Sequence, residues 1–335
     1  MRGIAAAVPD LESPLADEVD SFGKEAIEKI CASTGIVSRR LAPSHVTAAD
    51  LCESAASALL RRLAWEPTSV GLVVFMTQTP DFQIPSTACL LQERLGLGKN
   101  TAAFDVNLGC SAYAYSLWLA SSLLGTMSQK RALVLVGDTL TRHVNRSDRA
   151  LWPLFGDAGT ATALEQSPDA PPMTFELGTD GSGWDHLLID KRRSDSSLDS
   201  STLQMDGPAV FSFALREVPP MVSRLMEVAG TDLDSMDYVI LHQANQFILR
   251  TLQRRLKIPD SKFVVDLATW GNTSGATIPL AIVSSLRDQL TAGSHRLLLA
   301  GFGVGLSWSA LVVDLNQSVE IPPISEVAAP SQDFG

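Results

Sequence analysis

Short apolar runs alternate with longer stretches of helical periodicity along most of the chain. Val70–Met76, Ala102–Val106, Arg131–Val136, Tyr238–Leu241, Phe263–Asp266 and Arg296–Ala300 are rich in Val, Leu and Ile, which predicts buried strands. The apolar opening before Pro9 reads as a further strand, and so does Ser307–Val313. Ala48–Leu63, Ser86–Leu95, Ser111–Leu124, Ala209–Ala229, Gln246–Leu256 and Thr273–Leu290 are long enough for helices. Strand and helix in alternation predict an α/β fold, with helices covering parallel sheets.

The pattern also repeats. Val70–Phe75 recurs in type as Met236–Leu241, and Arg131–Gly137 as His295–Gly301. Phe104-Asp105-Val106, followed by Cys110 and a helix of small residues, recurs as Val264-Val265-Asp266, followed by Asn272 and a similar helix. Elements that recur in one order with similar spacing indicate duplication of one α/β unit. Gln166–Pro172 has a linker's composition and divides residues 1–168 from residues 169–317. The charged, serine-rich Lys191–Ser201 is expected to be a mobile surface loop. The polar, proline-rich tail, residues 318–335, is expected to be loosely ordered.

Composition narrows the function classes. The net charge of −11 argues against a nucleic-acid-binding surface. No apolar run approaches the roughly 20 residues of a membrane span. The N-terminus imitates a weak signal peptide, but its run ends at Pro9 and acidic residues follow, so a cytoplasmic protein is expected. Cys31, Cys52, Cys89 and Cys110 lack metal-ligand spacing, and neither a metal nor a cofactor is expected.

Three residues stand where α/β folds place chemistry. Cys110, in Asn107-Leu108-Gly109-Cys110-Ser111, falls between a strand and a helix. Free N–H groups and the positive end of a helix favour a thiolate there, and Gly109 allows a tight turn and close approach. A buried packing thiol is the alternative, and Cys31, Cys52 and Cys89 receive that reading. His242 directly follows a strand, at the end where such folds bind ligands; a core histidine satisfied by backbone is the alternative. His45, His143, His186 and His295 lack that setting. Asn272, in Gly271-Asn272-Thr273-Ser274-Gly275, occupies the position of Cys110 in the second repeat; taken alone, it reads as a helix cap. Gly301-Phe302-Gly303-Val304-Gly305 lacks the third glycine of a dinucleotide fingerprint. It reads either as a hairpin turn or as a turn bringing backbone N–H groups towards Cys110.

Taken together, Cys110, His242-Gln243-Ala244-Asn245 and Gly271-Asn272-Thr273-Ser274 resemble the ketoacyl-acyl-carrier-protein synthase III family, over nearly the whole chain. Thr34-Gly35-Ile36, Phe155-Gly156-Asp157-Ala158-Gly159, Met205-Asp206-Gly207 and Gly303–Trp308 fit that family's loops. The resemblance implies a duplicated five-layered α-β-α-β-α thiolase fold and a homodimer. It also implies that Cys110 accepts an acyl group from a thioester. His242 and Asn272 would then stabilise the enolate of a decarboxylating malonyl thioester, with an oxyanion hole from the N–H groups of Cys110 and Val304. Substrates would arrive on acyl carrier protein or coenzyme A.

Departures are informative. Where family members that prime from coenzyme A carry a Trp and two Arg, Lys29, Ser33 and Phe247 stand here, which puts coenzyme A priming in doubt. Ile84 replaces a common Phe that, in the family, reaches the partner's acyl pocket; this implies a roomier pocket rim. Val304 replaces a common glycine. A hydroxymethylglutaryl synthase would need a Glu where Thr77-Gln78-Thr79 stands, and a thiolase a second catalytic Cys near the C-terminal glycines. Plant-type polyketide synthases are usually longer. A non-condensing acyltransferase of the same fold remains open, as does a non-catalytic partner subunit, although the latter would be expected to have lost part of the triad. Gln246–Lys257 carries Arg250, Arg254, Arg255 and Lys257 and no acid. Positions 250, 254 and 257 are spaced for one helical face, which either is simply solvated or docks an acidic carrier protein.

Overall fold

Side chains along the central strands alternate between two cores, and this alternation builds the layers. The computed structural model describes residues 1–190 and 202–328; Lys191–Ser201, expected to be a mobile loop, and residues 329–335 lie outside the described residues. The first sheet contains β1 (Gly3–Pro9), β2 (Leu72–Met76), β3 (Ala102–Val106), β4 (Arg131–Asp138) and β5 (Ala158–Glu165). The second contains β6 (Thr174–Thr179), β7 (Tyr238–Leu241), β8 (Phe263–Val264), β9 (His295–Gly303) and β10 (Ser307–Leu315). A short β11 (Ser325–Val327) lies parallel beside β1.

The sheets share one topology. Their hydrogen-bonded orders are β11-β1-β5-β4-β2-β3 and β6-β10-β9-β7-β8. In the first, β2 runs parallel to β3 and β4, while β5 is antiparallel to β4 and β1. In the second, β7 runs parallel to β8 and β9, while β10 is antiparallel to β9 and β6. The repeat legible in the sequence is therefore a repeat of strand order and direction.

Seven helices position the site: α1 (Lys24–Thr34), α2 (Ala48–Leu63), α3 (Thr87–Arg94), α4 (Ala112–Leu124), α5 (Gly207–Ala229), α6 (Gln246–Leu256) and α7 (Thr277–Ser285). Val73 and Phe75 of β2 pack outward with α2 and α3. Leu72, Val74 and Met76 face inward, against α4, α7 and the inner face of the second sheet. Leu298 and Ala300 of β9 face a third core beneath α5 and α6. The result is five layers, α-β-α-β-α. The middle helices are enclosed on both sides, and in α7 every residue from Thr277 to Val283 is buried.

Two expectations need correction. Thr273–Leu290 is not one helix but a 3₁₀ turn at Ser274–Ala276, then α7, then a short helix at Arg287–Ala292. The tail is ordered through Val327: Val319 and Ile321 are 2% and 5% exposed, and Ile4 N–H donates to the Glu320 carbonyl at 3.0 Å. Apolar side chains two positions apart enter the middle core while the backbone between them pairs with β1. Ile321→Ala should accordingly cost about 2–4 kcal/mol in denaturant unfolding; wild-type stability would show that this packing contributes nothing.

Candidate active site

Cys110 and His242 are delivered by strand ends, Asn272 by a loop. Cys110 follows β3, and α4 begins at Ala112, whose N–H donates to the Gly109 carbonyl at 2.8 Å. His242 follows β7, and its N–H continues the pairing with β9 by donating to the Ala300 carbonyl (2.8 Å). Asn272 follows β8; its N–H donates to the Leu154 carbonyl (2.9 Å) and its carbonyl accepts from Gly156 (3.1 Å). The Phe155-Gly156-Asp157 segment thereby holds the asparagine loop of the other half.

A short series of contacts gathers the three. His242 meets the Phe302 ring edge-on, with centroids 5.8 Å apart. The next residue, Gly303, lies so close to Cys110 that a Cβ there would sit 2.8 Å from its sulfur. The Val304 N–H hydrogen-bonds that sulfur. Gly109 likewise has no room for a side chain: a Cβ would meet Gln78 Oε1 at 2.2 Å and Val304 Cγ1 at 2.9 Å. The Ser274 N–H donates to Asn272 Oδ1 at 3.0 Å, which leaves the Asn272 Nδ2 hydrogens for a ligand. His242 Nδ1 lies 2.7 Å from Thr277 Oγ1.

Burial dominates the electrostatics. It pushes the Cys110 thiol up to about 11; the Val304 N–H opposes the rise and the Asp138 carboxylate adds to it. The expectation of a thiol pKa lowered by the helix start is thus corrected. A rise from 9.0 to about 11 is worth about 3 kcal/mol, more than the ~0.3–1 kcal/mol usual for a helix N-terminus. Burial lowers His242 to about 3, partly offset by its hydrogen bond to the Ser274 backbone, so the imidazole is neutral. Asp138, raised by burial, accepts from Gln78 N–H (2.7 Å) and the Thr77 hydroxyl (3.0 Å) and ties down the loop after β2.

A cavity of about 620 Å³ opens onto Cys110, lined also by Gln78, Phe155, Leu187, Leu203 and Val304; His242 and Asn272 stand behind its wall. Ile84 is 87% exposed and does not line it. On α1, Lys29 pairs with Glu25 (2.7 Å) and the Ser33 hydroxyl donates to the Ile30 carbonyl (3.1 Å). Phe247 stacks on Phe211 with centroids 5.3 Å apart. Of the basic residues, Lys257 has left the helix, with φ 55° at its C-cap, so the single helical face stops at Arg254. Arg250, Arg254 and Lys257 still line one surface hollow, in which Asp260 pairs with Arg250 at 2.9 Å. Arg255 points elsewhere, donating to the Leu215 carbonyl of α5. Sequence reasoning missed Gln78, Asp138 and Thr277. The strand ends that carry Gln78 and Asp138 were legible, but not that both turn towards Cys110.

Residues 104–181 match the family model described as 3-oxoacyl-[acyl-carrier-protein] synthase III, and residues 226–315 match its C-terminal counterpart. The chain is 37% identical over 295 residues to a beta-ketoacyl-[acyl-carrier-protein] synthase III of Prochlorococcus marinus, covering 85% of this chain and 86% of that one. Among solved structures, a 3-oxoacyl-(acyl-carrier protein) synthase from Burkholderia xenovorans superposes with a TM-score of 0.92 at 35% identity, covering 98% and 96% of the two chains. The priming beta-ketosynthase of the R1128 polyketide biosynthetic pathway superposes with a TM-score of 0.85 at 28% identity, covering 96% of each. With motifs, layers and strand order in agreement, the chain belongs to the 3-oxoacyl-[acyl-carrier-protein] synthase III family and has its thiolase fold.

Proposed function

We propose that this enzyme transfers an acyl group from a thioester to Cys110 and condenses it with a malonyl thioester, with loss of CO₂, in fatty-acid or specialised lipid synthesis. The observation that carries this reading is the orientation of Asn272. Its Oδ1 is occupied by the Ser274 N–H, so its amide hydrogens are the groups available to an enolate oxygen. A non-condensing acyltransferase forms no enolate and has no use for that arrangement.

In the first half-reaction the Cys110 sulfur attacks the thioester carbonyl and the donor leaves as a thiol. The N–H groups of Cys110 and Val304 stabilise the tetrahedral oxyanion; one such donor typically contributes on the order of 10²–10³ in rate. In the second, CO₂ leaves the malonyl unit and Asn272 and neutral His242 donate to the enolate oxygen. The enolate carbon then attacks the acyl group, releasing Cys110. A cationic histidine would protonate the enolate, and a pKa near 3 prevents that.

The working unit is a homodimer. β3 ends the first sheet with one edge unpaired among the described residues, and Phe82, Ile84 and Trp118 are 46%, 87% and 42% exposed. Placing Ile84 in the partner's pocket accounts for its exposure. No helix among the described residues is long and apolar enough to cross a membrane, and a free catalytic thiol favours a reducing, cytoplasmic setting. Lys29, Ser33 and Phe247 offer neither the stacking Trp nor the Arg pairs of the family's coenzyme A contacts, which favours a carrier-bound donor, and Ile84 in place of the bulkier Phe favours a larger acyl group. The hollow of Arg250, Arg254 and Lys257 is the docking surface for an acidic carrier.

Cys110→Ser should fold normally yet form no acyl-enzyme by intact mass; normal turnover would remove Cys110 as nucleophile. Because the thiol sits near 11, alkylation of the Cys110 peptide in the free enzyme should still be accelerating at pH 10. A plateau below pH 8.5 would indicate a thiolate stabilised in advance. Reversing Arg250 and Arg254 to Glu should raise KM for carrier-bound substrate and spare small soluble thioesters, and equal effects on both would rule out docking there.

A further inference from the structure

The turn that carries the Val304 N–H has little of its own backbone to hold it. Val304 lies beyond the pairing of β9 with β10, which ends at Gly303 and Ser307, and between Gly303 and Gly305, with φ 156° and 132°. Glycine on both sides lets the turn lie against the Cys110 sulfur, but it also leaves the peptides easy to rotate. A chain of buried hydroxyls supplies the restraint. The Ser307 hydroxyl donates to the Val304 carbonyl at 2.7 Å. Its oxygen lies 2.7 Å from the hydroxyl of Ser111, the residue after Cys110. Ser309, on the same face of β10, donates its hydroxyl to the Ser111 carbonyl, also at 2.7 Å. Ser111, Ser307 and Ser309 are 0%, 2% and 0% exposed, so bulk solvent does not compete for these bonds.

Each serine hydroxyl has one proton, which fixes the direction of the chain. Ser307 commits its proton to the Val304 carbonyl, which can only accept. At the contact with Ser111 it is therefore the acceptor, and Ser111 the donor. The bonds run one way, from Ser111 to Ser307 to Val304, and each polarises the next. Ser307 alone would satisfy the Val304 carbonyl. Ser111 rescues no group that would otherwise go unpaired, and burying its hydroxyl carries a desolvation cost. What it adds is a link between the two halves of the chain. We propose that the Ser111–Ser307 pair is the positioning device of the oxyanion site, coupling the residue after the nucleophile in the first repeat to the donor-bearing turn of the second. The N–H groups of Cys110 and Val304 are thereby held at one separation. The inference rests on the reading of acyl transfer to Cys110 given above.

The effect is felt at a carbonyl and not at the sulfur itself. As sulfur attacks a thioester, the S–C bond forms and the carbonyl pair moves to oxygen, which needs both N–H groups within reach at once. Collapse returns that pair to the carbonyl and breaks the old S–C bond, and the departing sulfur takes the proton given up by Cys110. Alkylation of the same sulfur by iodoacetamide displaces iodide at a saturated carbon and develops no oxyanion. Dividing the acylation rate by the alkylation rate at one pH cancels any change in the ionisation of the thiol. What is left is the contribution of the oxyanion site. Ser111 and Ser307 touch no substrate in this scheme; both are positioning residues.

Both rates are read by intact mass, with the best of a series of acyl N-acetylcysteamine thioesters as acyl donor. Ser307→Ala should lower the ratio about 10²-fold, the loss of one oxyanion donor, with the half-saturating thioester concentration unchanged. Ser307→Thr, which keeps the hydroxyl, should restore it. Ser111→Ala should lower the ratio roughly tenfold, as for a donor displaced and not removed. Because the chain runs through Ser307, the double Ala variant should be no worse than Ser307→Ala; losses that add would show two separate effects and overturn the coupling. An unchanged ratio in Ser111→Ala, or a change confined to half-saturation, would overturn it as well. If Ser307→Ala does not fold, Ser111→Ala decides alone, since it leaves no buried group unpaired. Failure of the acyl-transfer reading shows separately, as wild-type enzyme that is alkylated at Cys110 yet accepts no acyl group from any thioester of the series.

Discussion

The Gly303 backbone resting on the Cys110 sulfur is the constraint from which the rest of the site follows. The nucleophile belongs to the first repeat and the glycine to the second, so the contact exists only if both sheets pack in register on the α4–α7 layer. That layer therefore cannot have a polar face, and α7 has none. The same closeness delivers the Val304 N–H to the sulfur. One steric requirement thus fixes the interlayer packing, the glycine at 303 and the position of a hydrogen-bond donor.

The closeness also excludes water, and desolvation acts on both partners in one direction: away from charge. Cys110 is held as a thiol and His242 as a neutral ring. A resting thiolate–imidazolium pair is therefore not the ground state. The proton must leave the sulfur as the thioester is attacked, which links activation of the nucleophile to arrival of substrate. A neutral resting site also protects the thiol from indiscriminate alkylation and oxidation.

The duplication was legible because β2, β4, β7 and β9 are buried on both faces and so carry unbroken apolar runs. β5 was not, since its Ala-Gly-Thr-Ala-Thr-Ala composition has little of the bulk that marks a strand; small residues there let α2 approach the sheet. The triad was legible as residue types at strand ends. The direction of the thiol shift was not, because a sequence shows a helix start but not how deep the preceding residue lies. The tail was misjudged for a related reason: Pro322 and Pro323 dominate its composition, while burial of Val319 and Ile321 depends on a space between sheets that only the fold creates. The roles of Gln78, Asp138 and Thr277 depend on contacts across 28 to 60 positions of chain, beyond the reach of any local pattern.

Duplication also explains why the two halves contribute different chemistry from equivalent places. Cys110 and Asn272 each stand between a strand and a central helix, where the backbone is held by neighbours; Cys110 and Ser274, two residues beyond Asn272, line the cavity. At Cys110 the next helix starts promptly, and the residue keeps its sulfur against donors from the other half. At Asn272 the chain first makes a 3₁₀ turn, with Ser274 at φ 55°. For a residue with a Cβ that conformation costs on the order of 1 kcal/mol, and its return is local. It aims the Ser274 N–H at Asn272 Oδ1 and the Ser274 carbonyl towards Thr277 and His242. In the proposed reaction the strained residue therefore orients both donors of the second half-reaction, and the departure from the first repeat's geometry would separate a site that attacks from one that stabilises.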